Sequence, residues 1–89
     1  MKIQPAELDR LVLGIAKSHY GDDLFDRRSL MNDVEREVRD KGLWEVTDNV
    51  TSKSAGIKSK GLARIDWAIS RLKRDGRLIN TGRNLWKIS

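Results

Sequence analysis

The chemistry open to this 89-residue chain is that of cations and an indole. Cysteine is absent and histidine occurs once, as His19, so neither a thiolate nucleophile nor a zinc site of Cys and His can be assembled. Asp33, Glu35 and Glu37 form the densest acidic run, but carboxylates at i, i+2 and i+4 leave a helix in different directions and do not converge on an ion. No glycine-rich phosphate loop is present, and no nucleophile, base and orienting group satisfy the roles that a catalytic site requires. The expectation is therefore no catalytic residue, no metal, no cofactor and no small-molecule substrate. What remains is Lys60, Arg64, Trp67, Arg71 and Arg74, which at 100° per residue share one helical face. Ammonium and guanidinium groups at that spacing suit a row of anionic oxygens, and the arginine fork also suits paired acceptors.

A helix over Gly61 to Asp75 positions that row. Its apolar residues Leu62, Ile65, Ala68, Ile69 and Leu72 follow the i, i+3, i+4, i+7 rule, so one face requires a core and the cationic face looks outward. Gly76 supplies the left-handed stop. Two short alternating runs follow, Arg77 to Asn80 and Leu85 to Ser89, separated by Thr81-Gly-Arg-Asn84, whose Gly and Asn suit a tight turn with Arg83 at its tip. A patterned basic helix followed by a basic-tipped hairpin is the working half of a winged helix.

The first half reads as scaffold. Pro5 fits a first helical turn, and Leu8, Leu11, Val12, Ile15 and Ala16 make an apolar stripe, which predicts a helix over Pro5 to Tyr20 after a frayed Met1 to Gln4. Leu24-Phe25 can add a short strand to the hairpin, with Phe25 in the core, and Asp26 can cap a second helix. That helix carries Leu30, Val34 and Val38 at every fourth position, Met31 beside them, and ends at Gly42. Leu43 and Trp44 give a short anchor. Residues 45–60 read as a long basic loop, in which Lys53, Lys58 and Lys60 stand among serines, a composition suited to phosphate contact. The expected fold is α+β, a winged helix-turn-helix of three helices with a small antiparallel sheet and a two-stranded wing. Its core is Leu11, Ile15, Leu30, Val34, Val38, Ile65, Ile69, Leu72, Leu78 and Ile88.

Charge divides along the same line. Residues 1–50 hold 8 Lys/Arg against 11 Asp/Glu, a balance of −3, whereas residues 51–89 hold 10 against 2, a balance of +8. That asymmetry suggests one polyanion-facing half. The length suits a single domain over 1–89. No apolar run approaches the ~18 residues of a membrane span, and no signal-peptide pattern opens the chain, so the expectation is a cytoplasmic protein with no membrane partner.

Ile65-Asp-Trp67-Ala68 through Leu72-Lys73 to Gly76, with Arg64 ahead of it and Leu78-Ile79 and Leu85-Trp86-Lys-Ile88 after it, resembles the N-terminal winged-helix domain of Mrr-like restriction endonucleases. The resemblance covers about residues 24–89. It departs where the family commonly has glycine before Leu-Ile and this chain has Arg77, and the fused nuclease domain of full-length members is not in this chain. The resemblance implies double-stranded DNA as partner, in some relatives with sensitivity to base methylation. It also makes Trp67 either a packing wedge against the first helix or the loop, or a contact to base or sugar.

The expected DNA-binding set is Lys53, Lys58, Lys60, Arg64, Trp67, Ser70, Arg71, Arg74, Arg83, Asn84 and Lys87. Helix 61–75 would lie in the major groove and wing 77–88 on the backbone. Lys60 and Arg64, nearest the helix start, are the base-contact candidates; Arg74, Lys58 and Lys87 are phosphate contacts; Arg83 and Asn84 meet the minor groove or its phosphates. The alternative is a small winged-helix interaction or inhibitor module that binds a protein partner through the same basic face, with Trp67 as hot spot.

Overall fold

The computed structural model describes residues 1–51 and 59–89. The elements run α1 (Pro5–Tyr20), α2 (Arg27–Asp40), a 3₁₀ turn (Val46–Asn49), α3 (Lys60–Arg74), β1 (Leu78–Gly82) and β2 (Leu85–Ile88). The fold is α+β, with three helices packed on one another and a two-stranded antiparallel sheet at the C-terminal end, in a winged-helix arrangement.

Local chemistry explains each boundary. Pro5 occupies the start of α1, where a missing N–H has no cost, and Glu7 lies in the first turn, where the helix dipole favours an anion. Asp26 caps α2 by accepting from the Ser29 N–H at 2.7 Å and the Ser29 hydroxyl at 2.9 Å. Those hydrogen bonds hold its carboxyl below the usual range. Ser59 caps α3 by accepting from the Leu62 N–H at 3.1 Å, so this helix starts at Lys60, one residue before the predicted start. Gly76, at φ 76°, ends the last turn as expected.

Leu8, Val12, Ile15 and Ala16 of α1, Leu30, Val34 and Val38 of α2, and Ile65, Ala68, Ile69 and Leu72 of α3 meet in one core. Leu11 and Ile88, expected inside it, are only partly buried and pack at its edge. Trp86 takes a central place that periodicity alone did not assign. The reason is a third strand position: Phe25 and Trp86 exchange backbone hydrogen bonds of 2.9 and 2.8 Å, which buries both side chains. The expected Leu24-Phe25 strand is thus a single bridge to β2. Tyr20 stacks on Phe25 with ring centroids 4.7 Å apart and donates its hydroxyl to Asp33. Burial and that hydrogen bond push the Tyr20 phenol up to about 12. In the hairpin, β1 continues past Asn80 to Gly82 with a register irregularity, and the turn is Arg83-Asn84, with Asn84 at φ 60°.

The N-terminal segment corrects the expectation of a frayed end. Met1 is buried at 6 % exposure, and its ammonium lies 2.6 Å from Asp48 and 2.8 Å from Glu45. Lys2 donates its N–H to the Leu43 carbonyl at 2.8 Å. Asp48 is itself buried, and it also accepts from the Glu45 N–H at 2.9 Å. The 3₁₀ turn is therefore an ordered element inside what composition reads as loop. A glycine is required where this turn meets α3: a methyl on Gly61 would penetrate the Trp44 ring and come within 2.8 Å of the Asp48 Cβ.

Burial alone would lower the Met1 amine, but hydrogen bonds to Asp48 and Glu45, and the charges of both, outweigh it and hold the amine above its ordinary value of 8.0. A group raised in the folded state adds stability that is complete below the ordinary value and is lost as pH rises through the raised one. Thermal unfolding between about pH 7 and 10 should therefore show a loss of stability above about pH 8 that an Nα-acetylated chain lacks. The acetylated chain should start lower by about 1.5–3 kcal/mol, the range for a hydrogen bond to a charged group. Identical pH profiles for the two would refute the assignment.

Candidate functional site

The cations of α3 divide by what flanks the helix. Toward α1, Arg71 makes a two-pronged pair with Asp9, its Nη2 donating to Oδ1 at 2.8 Å and its Nε to Oδ2 at 3.0 Å. Hydrogen bonding to Asp9 outweighs partial burial and raises the guanidinium above its ordinary value. Arg64 sends its guanidinium back to the Met1 and Ile3 carbonyls, each at 3.1 Å. Both arginines were expected to face a polyanion, and both are engaged inside the fold, bracing α3 against α1 and the N-terminal segment.

On the other flank a residue of α2 performs the bracing. The Arg27 Nε donates to Asp66 Oδ1 at 2.8 Å, and its Nη2 donates to the Asp66 carbonyl and to the Ser70 hydroxyl, each at 3.0 Å. The Arg27 guanidinium also lies 5.0 Å from the Trp86 ring centroid, so one side chain ties α2, α3 and the wing together. Ser70, a candidate contact residue, remains exposed but accepts this hydrogen bond.

The outward side of α3 carries Lys60, Trp67 and Arg74, all exposed. Trp67 retains 51 % of its surface, so of the two roles open to it, the packing wedge does not describe its position. Arg74 pairs with Asp75 at 3.4 Å, both largely exposed. On the wing, Arg83 sits in the turn with Asn84, and Lys87 stands opposite Ile79 on the outer face of the hairpin. Lys53 and Lys58 lie outside the described residues.

Three further exposed cations were not among the expected contacts: Arg28 at the start of α2, Lys73 on α3, and Arg77 between α3 and β1. Lys73 continues a second column of the helix, Asp66-Ser70-Lys73, and Arg77 follows beyond the Gly76 stop. This column was legible by the same spacing rule that found the first. The Lys73 Nζ reaches 5.8 Å from the Trp86 ring centroid, which brings this column to the wing. Among the described residues, no ion pair engages Lys60, Arg77, Arg83 or Lys87, and no group of three His, Cys, Asp or Glu side chains could hold a metal. No helix of the described residues is long and apolar enough to cross a membrane.

No family model matches the chain, and comparison with curated proteins and with solved structures likewise gives no match.

The bracing role of Arg71 has a measurable consequence. Arg71→Met and Asp9→Asn should each lower stability by about 1 kcal/mol, and the double variant should cost little more than either alone. In a chain of this size the shift in Tm is about 4–8 °C per kcal/mol. Fully additive losses in chemical or thermal unfolding would show that the pair is not coupled.

Proposed function

We propose that this chain is a winged-helix module that binds double-stranded DNA, with the outward side of α3 in the major groove and the wing along the adjacent backbone. The observation that carries the reading is electrostatic. From Lys60 to Ser89 there are eight Lys/Arg and two carboxylates, Asp66 and Asp75, and Asp66 is occupied by Arg27. The exposed side of α3 and the wing therefore keeps an excess of cations on the elements that winged helices present to a duplex. The Ile65 to Gly76 run that resembles the Mrr-like targeting domain agrees with this reading.

The internal engagement of Arg64 and Arg71 redistributes the roles. Lys60, Arg74 and Lys73 become the contacts offered by α3, and Arg77, Arg83 and Lys87 those offered by the hairpin, with Arg28 at the start of α2 within the same set. Long flexible ammonium and guanidinium groups in solvent, of which Arg74 is ion-paired to a neighbouring carboxylate, suit phosphate oxygens, which position a protein on the duplex without reading its sequence.

Neutralising about five phosphates gives a slope of log K against log salt near −4.5. Fluorescence anisotropy of a labelled duplex of about 15 base pairs over a salt series measures it directly. Arg83→Glu and Lys87→Glu should each weaken binding and flatten the slope by about 0.9, while Lys17→Glu on α1 should leave both unchanged. A slope near zero, or no binding at high micromolar protein, would defeat the DNA reading in favour of a protein partner for the basic face.

A further inference from the structure

The N-terminal half of α3 holds a recess of about 230 Å³ lined by Lys60, Ala63, Arg64 and Trp67. Its walls are almost wholly carbon. Trp67 forms one side, and it is the large apolar side chain that α3 leaves exposed among the described residues. Ala63 is buried at 1 % exposure. Arg64 directs its guanidinium to the Met1 and Ile3 carbonyls, so it offers the recess its methylene stem and little nitrogen. An apolar recess thus sits on a helix whose other outward groups, apart from Ser70, are cations.

What such a recess can accept follows from the chemistry of base edges and rests on the DNA reading above. Recognition helices meet base edges through their N-terminal part, which here is the Lys60 to Trp67 half. The major-groove edges of guanine, adenine and cytosine present hydrogen-bond donors and acceptors, and pressing these against carbon would leave buried polar groups without partners. The C5-methyl group of thymine is the apolar exception, and 5-methylcytosine carries the same group at the same place. We infer that the Trp67 recess reads the C5-methyl group of a pyrimidine in the major groove, by apolar contact with the indole and with no hydrogen bond to the base. The recess also has room for the C5–C6 edge that carries the methyl. Lys60 at the helix start is left to hold the neighbouring phosphate.

The test compares the chain's affinity for an alternating A·T duplex with that for the same duplex in which deoxyuridine replaces thymidine, which removes the methyl and leaves the pairing intact. A matched pair of G·C duplexes with cytosine or 5-methylcytosine distinguishes the two sources of the group. The wild-type chain should favour the thymine duplex by about 3–5-fold for each methyl contacted, the factor that follows from burying one methyl-sized group. Trp67→Ala, an exposed position whose folding is checked by circular dichroism, should bring that ratio to about one, with both duplexes bound at the same, weaker affinity. A preference restricted to A·T identifies thymine, and one found in both pairs identifies the methyl on either base; both support the inference. Equal affinity for the thymine and uracil duplexes, or a preference undiminished in Trp67→Ala, would overturn it and leave the DNA reading intact. Absence of binding to all four duplexes would overturn the DNA reading itself.

Discussion

The stripe Ile65, Ala68, Ile69 and Leu72 must be buried, and that requirement governs the arrangement of the rest. With these four side chains held in the core that α1 and α2 also line, α3 can rotate very little about its own axis. Two of its cations then fall on the flank facing α1 and the N-terminal segment, and the outermost ones are left in solvent. The flanks need charge partners, since guanidinium groups brought against a neighbouring element lose water. Asp9 and the carbonyls of Met1 and Ile3 supply them on one side. On the other side the polarity is reversed: α3 offers the carboxylate, Asp66, and α2 the arginine, Arg27.

This division explains how one basic helix serves two purposes. A cation paired with Asp9 adds little to the field outside, because its partner cancels most of it, whereas an exposed cation without a carboxylate keeps its full long-range effect. Bracing by Arg64 and Arg71 fixes the helix, and the surrounding Lys60, Lys73 and Arg77 supply the field, with Arg74 partly offset by Asp75. Trp67 fits the second group by exposure and the first by its stiffness, since an indole loses little freedom when it makes contact.

The N-terminal segment, the 3₁₀ turn and the start of α3 behave as one further unit. The Met1 ammonium, Asp48, Glu45, Trp44 and Gly61 are mutually packed or paired, and Trp44 donates its indole N–H to Asn49 at 3.0 Å while Arg39 stacks over its ring at 4.3 Å. Burying Asp48 without the ammonium would be costly, and the ammonium has no comparable partner elsewhere among the described residues, so each holds the other in place. The consequence for the site is positional: the carbonyls that receive Arg64 belong to this segment.

Regular elements were legible in the sequence because their determinants are local. Helical spacing of apolar residues, Pro5 at a first turn, Asp26 as cap and Gly76 as stop all act within a few residues, and α1 falls on its predicted range. The wing was legible for the same reason, through its Gly and Asn. What the tertiary structure alone decided is which cations of α3 are held by groups distant in the chain. Arg64, Arg71 and Arg74 look alike on a helical wheel, and only the placement of Asp9, Met1 and Ile3, about sixty residues away in the chain, distinguishes them. The same holds for Trp86, buried through its bridge to Phe25, and for Met1, drawn in by Asp48. Spacing determines which face a side chain occupies; what stands opposite that face depends on the path of the whole chain.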